Sequence, residues 1–139
     1  MLFGEYQHSI DAKGRLNFPA KLREHLGERF YVTKGLDGCL AVYAEDEWKV
    51  YMDKLRVLKK TSEGRDYLRD LTRATYELEP DKQGRVLIHA NLRDHAGLDK
   101  NVLIIGASDH VQIWDNDKLD KRPKLTEEKI AAMMEGIDY

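Results

Sequence analysis

An α+β fold is predicted, built from two copies of a β-β-α-β-β unit that close one shared core with pseudo-twofold symmetry. Three observations predict it. First, Asp11-Ala12-Lys13-Gly14-Arg15 recurs seventy residues later as Asp81-Lys82-Gln83-Gly84-Arg85. Second, the agreement extends outward from that segment. Ala20, Leu22, Arg23, His25 and Gly27 match Ala90, Leu92, Arg93, His95 and Gly97, and Tyr6 matches Tyr76. After one inserted residue Gly35 aligns with Gly106, and Val42-Tyr43 with Ile113-Trp114. A self-match this long is an internal duplication. Third, each copy offers only four short strands, too few to bury two faces alone, whereas two copies can share a core.

Each element follows from its local pattern. Tyr6, His8 and Ile10 alternate with Gln7 and Ser9, the period-two signature of a half-buried strand. Asp11 to Gly14 reads as a turn. An Asp side chain accepts from backbone N–H groups just ahead of it, and Gly supplies the positive φ of a tight turn. Leu16 and Phe18 then point inward and Arg15 and Asn17 outward, which predicts a hairpin with a polar tip. Pro19 to Leu26 is a short helix, with Pro at its first position and Gly27 as its left-handed stop. Phe30 to Thr33 and Cys39 to Tyr43 are strands around the turn Leu36-Asp37-Gly38.

Trp48, Tyr51, Met52, Leu55 and Leu58 share one face of a helix over 45–58. A second helix over 63–75 carries Tyr67, Leu68 and Leu71, and both are expected to pack on the first copy. The second copy repeats the order. Glu77 to Glu79 and Arg85 to Ile88 flank the turn Asp81–Gly84, His89 to Ala96 is the short helix, and Asn101 to Ile105 and His110 to Trp114 are the last strands. Thr126 caps a terminal helix carrying Ile130, Met133, Met134 and Ile137. Core packing is the default for that apolar stripe, and a subunit contact the alternative. The halves are placed at 5–48 and 75–118, with connecting helices over 49–74 and the C-terminal helix within 119–139.

Composition narrows the function. No apolar run approaches the ~20 residues of a membrane span. The first residues lack the basic and apolar regions of a signal peptide. The single cysteine, Cys39, excludes an intramolecular disulfide, and a reducing, cytoplasmic setting is expected. His8, His25, His89, His95 and His110 lack metal-ligand spacing. Neither a nucleophile–base arrangement nor a glycine-rich phosphate loop is visible, so neither catalysis nor a cofactor is expected. Aromatic residues fall mostly on inward positions, against a stacking platform for single strands. The net charge of −2 contrasts with the pI above ~9 common in DNA-binding domains.

The doubled turn is the candidate site. Outward Arg15 and Arg85, with Lys13, suit double-stranded DNA: a β-ribbon fits the major groove, Arg donates twice to guanine, and Lys contacts phosphate. The plainer alternative pairs Asp11 with Arg15 and Asp81 with Arg85, each exposed pair contributing ~0–1 kcal/mol. Duplication favours the functional reading, because packing has less reason to repeat Asp, Gly and Arg at an exposed tip. Lys21, Arg23 and Arg93 on the short helices could reach phosphates, but a solvated helix face is the simpler account.

These residues resemble a known family. Gly4-Glu5-Tyr6-Gln7-His8, Asp11 to Arg15, Pro19-Ala20-Lys21, Arg23 and Gly35-Leu36-Asp37-Gly38-Cys39-Leu40 are similar to the start of the MraZ family. The second Asp-x-x-Gly-Arg and the Ile113-Trp114 strand complete a match over nearly the whole chain. The resemblance implies two SpoVT-AbrB-type halves in one chain, a β-barrel-like core with flanking helices, and ring-shaped homo-oligomers. It implies a nucleoid-associated transcription regulator that binds short repeated DNA elements at the promoter of the division and cell-wall gene cluster, its own gene included. Arg15 and Arg85 then contact DNA, Lys13 and Gln83 support them, and Asp11, Gly14, Asp81 and Gly84 form the turns. A ring would also reconcile a mildly acidic subunit with DNA binding, since linked sites gain ~10²–10⁴ in avidity. Asn17 and His89 depart from the family pattern, where a branched aliphatic residue and Pro are common. From other classes, an oligomeric protein-interaction scaffold and an antitoxin-like partner protein remain alternatives.

Overall fold

The computed structural model describes residues 1–138. The first copy comprises β1 (Glu5–Ser9), β2 (Arg15–Asn17), α1 (Ala20–Leu26), β3 (Phe30–Lys34) and β4 (Leu40–Ala44). Helices α2 (Glu45–Leu55) and α3 (Ser62–Arg73) follow. The second copy repeats the order as β5 (Tyr76–Leu78), β6 (Arg85–Leu87), α4 (Ala90–Ala96), β7 (Asn101–Gly106) and β8 (Val111–Asp115). Two further helices, α5 (Asn116–Asp120) and α6 (Glu127–Met134), complete the described chain.

The strands form an antiparallel six-stranded sheet, β1-β7-β8-β4-β3-β5, and a two-stranded ribbon, β2-β6. Exchanging every strand for its counterpart in the other copy leaves this order unchanged. Pairing is therefore largely between copies. Strand β1 lies on β7 with Gln7 opposite Leu103, β5 lies on β3 with Tyr31 opposite Glu77, and β4 meets β8 at the centre.

This corrects one expectation. The chain before and after Asp11 does not continue as a hairpin. Past the turn, β1 and β2 share only the bridge Ile10–Leu16, then diverge to partners in the other copy. The reason lies in burial: Leu16 and Val86 face each other across the β2–β6 ribbon and are both fully enclosed. A hairpin confined to one copy would leave those faces in water.

One core fills the space between ribbon, sheet and short helices. Leu16, Phe18, Leu22, Phe30, Val32 and Val42 from the first copy meet Val86, Ile88, Leu92, Ile104 and Ile113 from the second. The other sheet face is covered over β3 and β4 by α2 and α3. Trp48 stacks on Tyr31, and Tyr51 on Tyr43, with ring centres 5.8 and 4.8 Å apart. The C-terminal end of α3 is tied to β3: Thr75 Oγ1 donates to the Leu71 carbonyl at 2.8 Å, and buried Thr33 Oγ1 donates to the same oxygen at 3.3 Å. These bonds add to the Ala74 N–H, which closes the helix end on the same carbonyl at 3.2 Å. A smaller cluster, Cys39, Leu103 and Trp114, occupies the β7–β8 side under Leu119 of α5, a helix the sequence reading missed.

Helix ends shift by small amounts. Pro19 precedes α1 with φ −56° and ψ 131°, one position earlier than expected, and His89 precedes α4 with φ −64° and ψ 151°. A histidine thus adopts nearly the same backbone as its proline counterpart, braced by a ring stacked on Tyr76 at 3.7 Å. Gly97 is left-handed as expected, but Gly27, at φ 86° and ψ −167°, is not. The helix after β4 ends at Leu55 and tightens into a 3₁₀ segment, Arg56–Lys60, that contains Leu58.

The C-terminal helix departs further. Thr126 caps α6, accepting from the Lys129 N–H at 3.2 Å, as expected. Its apolar stripe, however, does not pack on the core. Met133 is 56% exposed and Ile137, beyond the helix end, 53%. The exposure of this face overturns the core-packing reading.

Two predictions follow from packing. Leu16→Ala should destabilise the protein by about 2–5 kcal/mol, the usual cost of a buried Leu cavity, measured by urea unfolding. Burial pushes the Cys39 thiol up to about 11 from 9.0, with Asp37 adding to the effect. The native thiol should therefore resist iodoacetamide at pH 8 and react once the chain is unfolded. Because its folded value is raised, the associated stability is complete below pH 9 and declines as pH rises towards 11.

Candidate nucleic-acid interface

Each turn is organised by its aspartate. Asp11 Oδ1 accepts the Lys13 and Arg15 backbone N–H groups at 2.9 and 2.8 Å, and Oδ2 accepts Arg15 Nε–H at 3.0 Å. Asp81 repeats the set with Gln83 N–H, Arg85 N–H and Arg85 Nε–H, each at 2.9 Å. The Gly14 and Gly84 N–H groups close the turns on the Asp11 and Asp81 carbonyls at 3.0 and 2.9 Å. Both glycines have positive φ, 84° and 77°, which a side chain would strain.

The two readings of the Asp–Arg pair are therefore one arrangement. Each carboxylate holds the guanidinium of its arginine by Nε alone. Among the described residues, no protein acceptor engages the terminal guanidinium nitrogens of Arg15 or Arg85. A guanidinium fixed at one edge presents its other edge in a defined plane, the preorganisation that bidentate donation requires.

The ribbon places these side chains on one surface. Arg15 stands opposite Leu87, and Asn17 opposite Arg85. Residues opposed in an antiparallel pair share a face, so all four point away from Leu16 and Val86. Arg15 and Arg85 are diagonal neighbours with Cα atoms roughly 7–8 Å apart. The turns sit at opposite ends of the ribbon, joined to it by Ile88 N–H to the Gly14 carbonyl at 2.8 Å and Phe18 N–H to the Gly84 carbonyl at 3.0 Å. Lys13 and Gln83 are exposed at the tips, as expected.

Two arginines were misjudged from sequence. Arg23 and Arg93 do not lie on solvated helix faces. Both are half-buried, and each leans on the turn of the other copy: the Arg93 guanidinium covers Gly14, and the Arg23 guanidinium covers Gly84. Arg23 Nε also donates to the Phe18 carbonyl at 3.0 Å. The matched positions of Arg23 and Arg93 in the duplication were the available signal.

Charge is concentrated here. Segments 11–23 and 81–93 carry Lys13, Arg15, Lys21, Arg23, Lys82, Arg85 and Arg93 against only Asp11 and Asp81, in a chain of net charge −2. The rest of the molecule is correspondingly acidic. His110 lies elsewhere, bonded through Nδ1 to Asp109 at 2.8 Å and stacked on Tyr43. Among the described residues no group of three or more His, Cys, Asp or Glu is placed to hold a metal ion, and no helix is long and apolar enough to cross a membrane.

Interlocked β-β-α-β-β copies that present one arginine-bearing ribbon define a class of duplicated α+β proteins. Family comparison is consistent with that class: the model for "MraZ protein, putative antitoxin-like" matches twice, over residues 1–70 and 71–131. The chain belongs to the MraZ family. It is 45% identical over 139 residues to a protein of Caldanaerobacter subterraneus subsp. tengcongensis named Transcriptional regulator MraZ, covering 99% of this chain and 97% of the other. A protein of the same name from Heliobacterium modesticaldum is 52% identical over 122 residues, covering 87% and 85%. Another from Alkaliphilus metalliredigens is 47% identical over 141 residues, covering 99% of each.

The backbone N–H groups of Arg15 and Arg85, and then those of Lys13 and Gln83, hold the Asp11 and Asp81 carboxyls below the ordinary value of 3.8. A lowered carboxylate contributes its stability above the ordinary value and loses it as pH falls through the folded one. Carboxyl carbon NMR should therefore show both aspartates titrating below 3.8, with the Lys13, Arg15, Gln83 and Arg85 amide shifts moving in step.

Proposed function

We propose that this chain is a sequence-specific DNA-binding transcription regulator without enzymatic activity. The observation that carries the reading is the ribbon, on which Arg15 and Arg85 share one face, their terminal nitrogens without a protein acceptor among the described residues. A two-stranded ribbon fits the ~12 Å major groove, and Arg is the commonest bidentate partner of guanine O6 and N7. Their diagonal spacing of roughly 7–8 Å compares with about 3.4 Å per base step along one strand, so the pair suits bases about two steps apart. Lys13 and Gln83 make supporting contacts at the ends, and Asp11, Gly14, Asp81 and Gly84 hold the turns. The name of the relatives, transcriptional regulator, supports a role in transcription.

The halves, at 5–48 and 75–118, are of SpoVT-AbrB type and close a β-barrel-like core, with helices over 49–74 and 119–139. The protein assembles into a ring through exposed surfaces, of which the apolar stripe of α6 is a candidate. It acts in the cytoplasm, on the nucleoid, at repeated elements in the promoter of the division and cell-wall cluster that includes its own gene. The same exposed helix also suits an interaction scaffold, which salt dependence separates from the regulator, or an antitoxin-like partner, which gene context separates.

Arg15→Ala and Arg85→Ala should each weaken binding to the protein's own upstream DNA by about tenfold or more, since one bidentate base contact is worth about 1–3 kcal/mol. Melting temperature and oligomeric state should not change. Parent affinity should fall with log[salt] by about 0.9 per neutralised phosphate. Equal binding by parent and both variants, or a flat salt response, would move the assignment to the scaffold.

A further inference from the structure

We propose that Arg93 and Arg23 are positioning residues that act across the duplication, Arg93 seating the Gly14 turn and Arg23 seating the Gly84 turn. Gly14 is buried although its turn is otherwise exposed, and so is Gly84. In each case the cover is a guanidinium from the other copy. A β-carbon at Gly84 would come within 2.9 Å of Arg23 Nη2, and one at Gly14 would collide with Arg93 Nη1. The Ile88 carbonyl oxygen lies 3.0 Å from the same position, so guanidinium and backbone together fill the space a side chain at Gly14 would need. Among the described residues neither arginine has a carboxylate partner, so an ion pair does not explain its placement.

A planar guanidinium on a bare glycine backbone can pack at van der Waals distance only where no side chain intervenes. The glycines thus meet two demands at once: a positive φ for the turn and a flat seat for arginine. The same contact occurs twice, on unlike turns, Ala12-Lys13 in one and Lys82-Gln83 in the other. This recurrence argues that the seat is a built feature of the turns. Because each seat crosses the copies, the turn that aims Arg15 is held by Arg93, and the turn that aims Arg85 by Arg23.

The test is amide hydrogen exchange by NMR on Arg93→Gln and Arg23→Gln in the full chain. In R93Q the Gly14 and Arg15 amides should exchange about tenfold faster, about 1.4 kcal/mol of lost protection, while those of Gly84 and Arg85 hold. R23Q should show the reverse. Both turns loosening together, or neither, would overturn the proposal. If a Gln variant fails to fold, R93K and R23K carry the same comparison, since a Lys keeps the charge but not the plane.

A second readout rests on the DNA-binding reading. R93Q should weaken DNA binding roughly fivefold in the parent and in R85A, but by less than about twofold in R15A, the non-additivity of coupled sites. Additive losses throughout would overturn the crosswise coupling alone. Parent-like DNA binding by R15A and R85A would instead overturn the DNA reading, and leave the exchange result to decide the seats.

Discussion

The pairing of β2 with β6 is the constraint on which the rest depends. Three residues from each copy form the ribbon, with Leu16 and Val86 enclosed beneath it. Backbone groups buried with them must be paired. The bonds from Ile88 N–H to Gly14 and from Phe18 N–H to Gly84 extend that pairing to both turns. Once the ribbon forms, β1 and β5 have nowhere to go but the far edges of the large sheet, on β7 and β3. The topology thus follows from two short strands that cannot satisfy themselves within one copy.

The same constraint aims the polar face. An exposed arginine ordinarily samples many rotamers, and ordering it costs conformational entropy. Here the backbone is fixed by the ribbon, and the Asp–Nε contact fixes the head. The ion pair contributes little to stability at so exposed a place. Its effect is on orientation, which explains why a weak interaction recurs intact in both copies.

Much of this was legible in the sequence, for identifiable reasons. The duplication fixed the element order, because Asp, Gly and Arg recur with the apolar positions at one offset. Alternation placed Leu16 and Phe18 inward and Arg15 and Asn17 outward. Asp11 and Gly14 announced the turn. What failed was the partner of each strand. A turn with flanking alternation reads as a hairpin, because period and turn chemistry are local, whereas the choice between β2–β1 and β2–β6 is made by burial across 70 residues. Arg23 and Arg93 were misread for the same reason: their seats belong to the other copy. The apolar stripe of α6 looked like core because periodicity reports a face and not what covers it. His89 shows the reverse case. The residue type differs from Pro19, yet the backbone is retained, since stacking on Tyr76 replaces the ring constraint.

Joining both copies in one chain frees their equivalent positions to differ. Ala12 corresponds to Lys82, Lys13 to Gln83, Asn17 to Leu87, and Pro19 to His89. One end of the ribbon is tipped by Ala12-Lys13 and the other by Lys82-Gln83, so the lysine stands at a different place in each turn. A dimer of identical chains would present the same chemistry at both ends and could not tell a partner from that partner reversed. This ribbon has a head and a tail, so a partner lying along it meets a surface with polarity, and the two directions of approach are no longer equal in energy.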